Sequence, residues 1–133
     1  MDVLYKGVAF GGKISVTVIE ATQMVNEAIR IHGLSPLAAA ALGRTMIAAT
    51  FMSSTLKSEE DRLSVTLSGD GVGGQIVVAG DAALNMRGYI DNPACDLPLN
   101  AKGKLDVAGC VGKGRLTVVK SMGLKEPYTG SCA

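Results

Sequence analysis

One segment limits the possible folds more than any other. Ser35 to Lys57 reads Ser-Pro-Leu-Ala-Ala-Ala-Ala-Leu-Gly-Arg-Thr-Met-Ile-Ala-Ala-Thr-Phe-Met-Ser-Ser-Thr-Leu-Lys. Ser35 is a good helix cap and Pro36 suits the first helical position. A helix running from there to Lys57 would be ~33 Å long. It is apolar on nearly every side, so other elements have to wrap it. Gly43 costs ~1 kcal/mol against alanine in a helix, which points to a neighbouring backbone at close range. Arg44 is the one charge before Lys57, and in a wrapped helix it needs a carboxylate or carbonyl oxygens.

The remainder is mostly strand. Val3–Phe10 and Lys13–Ile19 flank Gly11-Gly12, a hairpin with a two-residue turn. Ile14, Val16 and Val18 alternate with Ser15 and Thr17, which predicts one buried face and one wet face. Thr22 caps a helix over Gln23–His32, with Gly33 as its left-handed stop. His32, the only histidine, then covers the helix C-terminus. Leu63, Val65 and Leu67 alternate with Ser64, Thr66 and Ser68 in a half-buried strand. Gln75–Ala79 and Ala83–Ile90 follow, giving a three-stranded meander joined by glycine-rich turns. Beyond Asp91 the pattern loosens until a strand at Arg115–Lys120. Nothing in Tyr128–Ala133 signals a helix or a sheet, and the end reads like an interrupted domain. The expected fold class is α+β, a β-hairpin and antiparallel strands packed around a long apolar central helix. Residues 1–133 are expected to form a single, incomplete domain.

Composition removes several functions. With 133 residues and 47% apolar content the chain is long and apolar enough for a real core. Aromatics are 4% with no Trp, unlike a stacking platform for single-stranded nucleic acid. A net charge of +1 gives no overall attraction to nucleic acid or membranes. The basic residues gather late. Lys102, Lys104, Lys113, Arg115, Lys120 and Lys125 face only Asp106 and Glu126, forming either a solvated surface or a docking face for an acidic partner. No secretory leader and no membrane span is legible, so the expected location is the cytoplasm. Cys95, Cys110 and Cys132 lack paired spacing, which argues against a metal knuckle and for small apolar fillers in a reducing compartment. No metal ligand and no cofactor site is expected in these residues.

Gly69-Asp-Gly-Val-Gly-Gly74 matches the dinucleotide fingerprint, and Asp91 follows at roughly the expected twenty residues. The fingerprint needs a helix after its last glycine. Gln75-Ile-Val-Val-Ala79 is a β-branched run, so the glycines make a hairpin turn. No nucleophile elbow and no P-loop is present, and no catalytic residue is assigned. Met46, Ile47, Phe51 and Met52 carry two readings. They are core packing, or an adaptable surface for unfolded clients.

Ordered fragments of the chain resemble the redox-regulated 33-kDa heat-shock chaperone family. They are Met24-Val-Asn-Glu, Ala41-Leu-Gly-Arg-Thr-Met46, Leu56-Lys57, Leu63–Gly74, Met86-Arg-Gly-Tyr, Gly103-Lys-Leu-Asp-Val107, Gly112-Lys-Gly, Leu116-Thr-Val-Val-Lys120, Gly123-Leu-Lys and Tyr128-Thr-Gly. The resemblance spans essentially the whole chain. It implies an ATP-independent holdase for proteins unfolding under oxidative or heat stress, with an α+β N-terminal body that can dimerise. It also implies a separate C-terminal domain whose Cys-x-Cys and Cys-x-x-Cys cysteines bind zinc when reduced. That motif is absent here, so no zinc or redox role passes to the three cysteines, and the chain matches the N-terminal part only. Expected partners are unfolded clients and a second copy, through self-association or strand exchange. The alternatives are an assembly or interaction domain that keeps the fold without client binding, and a nucleotide-using enzyme built on Gly69–Gly74.

Overall fold

The computed structural model describes all residues, Met1–Ala133. A two-stranded hairpin comes first, β1 (Val3–Ala9) and β2 (Ile14–Glu20), followed by helices α1 (Thr22–His32) and α2 (Pro36–Ser53). Next come β3 (Arg62–Gly69), β4 (Ile76–Asp81), β5 (Met86–Ile90), the single-turn α3 (Val107–Val111), β6 (Gly114–Ser121) and β7 (Tyr128–Cys132). The last five strands make one antiparallel sheet in the order β5-β4-β3-β6-β7. The fold is mixed α/β with antiparallel sheets, as expected.

Strand alternation organises the core. Leu63 pairs with Gly80, Val65 with Val78 and Leu67 with Ile76, and Ile76 continues to Ile90. Those side chains share one face, and Leu63, Val65, Ile76 and Val78 are each at most 2% exposed. Leu37, Ala38, Ala41, Leu42, Met46 and Ala49 of α2 pack against them. Fully burying one Leu or Val side chain contributes about 1.5–3 kcal/mol. Ser64 and Thr66 take the opposite face, where partial exposure tolerates their hydroxyls.

The end of α1 and the start of α2 behave as their residues dictate. Ser35 Oγ accepts from the Ala38 amide at 3.1 Å, with Pro36 at the first turn. Gly33 has φ 62° and its amide donates to Ile29 O at 2.9 Å. Gly43 does permit close packing, because a Cβ there would lie 3.1 Å from a methyl of Val25 in α1.

Several expectations need correction. The helix from Pro36 has 18 residues, about 27 Å, and stops short of Lys57. After Ser53 the amides of Ser54, Thr55 and Leu56 reach carbonyls three residues back. Asp61, 6% exposed, then accepts from the amides of Lys57 and Ser58 at 3.3 and 3.1 Å and turns the chain. Nor is α2 wrapped all round. It lies on one face of the sheet, and Arg44, Ala48 and Phe51 form a solvent-facing stripe at helical spacing. Arg44 is therefore exposed and makes no ion pair or hydrogen bond. In α1 no side chain of the preceding residue caps the helix. Asp2 supplies the cap instead, its two carboxylate oxygens accepting from the Gln23 and Met24 amides at 2.8 and 2.7 Å.

The first hairpin turn is four residues long, Phe10–Lys13, since Ala9 pairs with Ile14. The β4–β5 turn is built by Asp81 and not by glycine, with Asp81 Oδ1 accepting from the Ala83 and Asn85 amides at 3.0 Å each. Asn85 also donates from its side chain, and these bonds hold the Asp81 carboxyl below its ordinary value. Tyr128–Cys132 is not a loose end but a strand paired with Leu116–Lys120 of β6.

Candidate functional site

The hairpin presents the least expected surface. In the register of β1 and β2, Tyr5 faces Val18, Gly7 faces Val16 and Ala9 faces Ile14, all on one side of the ribbon. That side is open along most of its length, and toward the tip the opposite side is open as well, with Val8 76% exposed. Tyr5 is 59%, Val18 57%, Val16 47% and Ile14 46% exposed, and Phe10 at the tip is 77% exposed. The polar Thr17 and the apolar Leu4 and Ile19 on the opposite side are half-buried. Alternation did mark two faces, but the β-branched one points to solvent. Leu4 and Ile19, with Met24, Thr50 and Leu84, line the crevice where the ribbon meets the body. Lys6 Nζ donates to Ser54 O at 3.2 Å, fixing the ribbon beside the C-terminal end of α2.

The four residues read as a possible client surface separate in the structure. Met46 is 3% exposed and belongs to the core, so it offers no surface while α2 stays packed. Phe51 is 47% exposed on the open stripe of α2, and Ile47 and Met52 are half-buried on either side of it. The hairpin residues Tyr5, Ile14, Val16 and Val18 were missed as surface. An alternating pattern does not say which side a body will cover, and the unusual run of exposed apolar residues appears only in three dimensions.

A second crevice, about 530 Å3, follows the edge strand β5. Met24, Ala28 and Ile31 of α1 face Val77, Met86 and Tyr89 across it. Its polar members are Glu27, His32 and Arg87. Glu27 is engaged by the Arg30 guanidinium at 2.6 Å, which holds its carboxyl below the ordinary value. No nucleophile and base meet here.

The glycine loop has a packing role. A Cβ on Gly71 would sit 2.3 Å from Cys110 O, and one on Gly73 would sit 2.6 Å from Cys110 Sγ. The Gly71 and Gly73 amides donate to Val111 O and Cys110 O, each at 2.9 Å, and Asp70 N donates to Lys113 O at 3.0 Å. The loop thus satisfies the carbonyls that end α3. Amides committed in this way cannot cradle a phosphate, and a strand follows the last glycine, as the sequence predicts.

The cysteines divide into a pair and a single. Cys95 and Cys110 are buried with their Sγ atoms 3.7 Å apart, and Cys132 is exposed on β7. Burial, then the contact with Cys95, pushes the Cys110 thiol up to about 11. No three His, Cys, Asp or Glu side chains gather in a metal-binding arrangement. No helix is long and apolar enough to cross a membrane. The late basic residues are spread over loops and β6, and of these Arg115 reaches Ser131 Oγ at 3.1 Å.

Comparison with known proteins agrees with this architecture. The chain is 50% identical over 129 residues to a 33 kDa chaperonin of Acetivibrio thermocellus, covering 97% of this chain and 44% of that protein. A 33 kDa chaperonin of Clostridium botulinum is 45% identical over 130 residues with the same coverage. The crystal structure of the 33 kDa chaperonin (heat shock protein 33 homolog) of Thermotoga maritima superposes with a TM-score of 0.89 at 37% identity, covering 97% of this chain and 44% of that one. The chain thus spans less than half the length of these relatives, all of which carry a chaperonin's name and none an enzyme's. The family model described as Hsp33 protein matches residues 2–133, and the chain belongs to the Hsp33 family.

Proposed function

We propose that this chain is the client-holding body of an ATP-independent holdase, which binds proteins unfolding under oxidative or heat stress. The observation that carries this reading is the open apolar face of the hairpin, Tyr5, Ile14, Val16 and Val18, with Phe10 at its tip. A surface of that kind is disfavoured on a soluble monomer unless something uses it. Burying its side chains against an unfolded segment recovers about 25 cal/mol per Å2 of apolar area removed from water. No nucleotide is required, in keeping with a glycine loop whose amides are already bonded. Phe51, flanked by Ile47 and Met52, extends the client surface onto α2, and Met46 supports it from the core. The relatives' names support the chaperone class. On this reading redox control and zinc binding belong to the C-terminal domain that the resemblance implies. The working place is the cytoplasm.

The test is light scattering of a chemically denatured client diluted into buffer with this chain, without ATP. Suppressed aggregation is expected. Val16→Ser with Val18→Ser should remove most of it while leaving the circular dichroism unchanged, since both positions are open. Full activity in that variant would move the client surface elsewhere.

A second reading rests on the same face and on the sheet edges. The outer strands β5 and β7 each pair on one side only, and unpaired edges invite another chain. On this reading the ribbon pairs with a second copy in a strand-exchanged dimer, an assembly domain without client binding. Sedimentation across a concentration series separates the two. A monomer that suppresses aggregation supports the holdase, and a dimer that ignores clients supports assembly.

A further inference from the structure

We propose that Cys95 and Cys110 are an oxidation site of this chain, closing to an intrachain disulfide when the protein meets hydrogen peroxide. The two Sγ atoms are in contact at 3.7 Å, fifteen residues apart in sequence. A disulfide brings sulfurs to about 2.0 Å, so the remaining approach is less than about 2 Å and lies within small side-chain and backbone adjustments.

The surroundings favour this pairing over any other. The backbone at Cys95 is held by its amide to Asn92 O at 3.2 Å and by Ser35 Oγ, which donates to Cys95 O at 2.6 Å. The backbone at Cys110 is held by its amide to Asp106 O and by the Gly73 amide to its carbonyl. Both backbones are thereby fixed with the two sulfurs side by side, and the third cysteine, Cys132, lies away from them on β7. Gly73 has no Cβ to press on Cys110 Sγ, which leaves that side of the sulfur free to shift. Cys132 sits in register with Leu116 on the edge strand β7 and takes no part.

The chemistry balances. The thiolate of Cys95, the member of the pair with any exposure at 3% against 0%, attacks one peroxide oxygen. The O–O bond breaks, a sulfenic acid forms, and the hydroxide that leaves takes up the proton released by the Cys95 thiol and becomes water. The Cys110 sulfur then attacks the sulfenic sulfur, the S–O bond breaks, the S–S bond forms and a second water departs. Two thiols lose two electrons and two protons to one peroxide.

Burial sets the pace. Cys95 is 3% exposed and Cys110 fully buried, so peroxide has little access to the pair, which lies in the stretch 92–112, where α3 is the only regular element. A buried sulfur meets peroxide less often than an exposed one, so the pair oxidises more slowly than Cys132. The product joins the turn beside the start of α2 to α3 and the glycine loop above it.

The experiment uses the full 133-residue chain and its Cys132→Ser variant. Each is incubated with hydrogen peroxide over a time course, denatured, alkylated, digested and weighed. The expected product is one linked peptide pair carrying Cys95 and Cys110, lighter by two hydrogens and restored by dithiothreitol. It should be absent in Cys95→Ser/Cys132→Ser. The wild-type mapping stands on its own even if that variant folds poorly. Free Cys95 and Cys110 after Cys132 of the wild type is fully oxidised and the sample is warmed to just below its unfolding midpoint would overturn the proposal. So would sulfinic acid at either site without a cross-link, or linkage only between chains. The result is independent of client binding.

Discussion

Met24 donates its backbone amide to Oδ2 of Asp2 at 2.7 Å, across twenty-two positions of sequence. The same carboxylate takes the Gln23 amide, so a residue ahead of the hairpin caps the helix behind it. A helix has unsatisfied amides in its first turn, and a carboxylate there is favoured both as an acceptor and by the helix dipole. Asp2→Ala should cost about 1 kcal/mol. Chemical unfolding monitored by circular dichroism measures this, and an unchanged midpoint would show that water caps α1 equally well.

Gly71 gives a larger expected effect. Its missing Cβ would meet the Cys110 carbonyl oxygen at 2.3 Å, with the Gly109 carbonyl oxygen at 2.5 Å. Both obstacles are backbone, so nothing flexible can step aside. Gly71→Ala should destabilise by about 2–3 kcal/mol. Calorimetry of wild type and variant reads the difference. A loop that instead served a dinucleotide would show thermal stabilisation by NAD in the wild type, and none is expected.

Ser53 should respond in the opposite direction. Its hydroxyl is fully buried at the end of α2 and has no hydrogen-bond partner. A hydroxyl taken from water without a partner costs roughly 1–3 kcal/mol in protein mutational data. Ser53→Ala removes that group, and its small volume loss falls beside Gly80 and Met86. A gain of about 1 kcal/mol in unfolding free energy is expected. A loss of stability would mean that the hydroxyl is bonded.

Alkaline pH probes Cys110. Its thiol ionises near 9.0 when unperturbed and at about 11 in the folded chain. Between these values the folded state holds more protons than the unfolded state, so stability falls as pH rises. Below 9.0 both states carry the proton and this group adds no slope. Urea unfolding midpoints from pH 8 to about 11 should decline, and Cys110→Ala should flatten the decline. A flat wild-type profile would show that the thiol is not shielded.

Local chemistry was legible wherever it decides the geometry by itself. Ser35-Pro36 begins α2 and Gly33 ends α1 because a hydroxyl cap, a fixed φ and a left-handed turn are properties of those residues. Leu63 and Val65 alternate into the core for the same reason. Side-of-burial was not legible. Val16 and Val18 carry the same pattern as Leu63 and Val65, yet no element lies over them. Arg44 was misplaced because Ala40, Ala48 and their neighbours blur the period that would have shown an outer stripe. The strand at Tyr128–Cys132 is made by pairing with β6, and its Gly-Ser-Cys sequence has little strand preference of its own. The contact of Cys95 with Cys110 depends on a glycine loop folding over α3 and has no trace in spacing.

The hairpin meets α2 only lightly and shares no rung with the five-stranded sheet. A lone two-stranded ribbon is at best marginally stable in water. Its seven paired rungs therefore draw little support from the core beneath. In hydrogen exchange the amides of β1 and β2 should trade for deuterium long before those of β3 and β4. On that expectation the arm opens and closes many times within the lifetime of a single folded body.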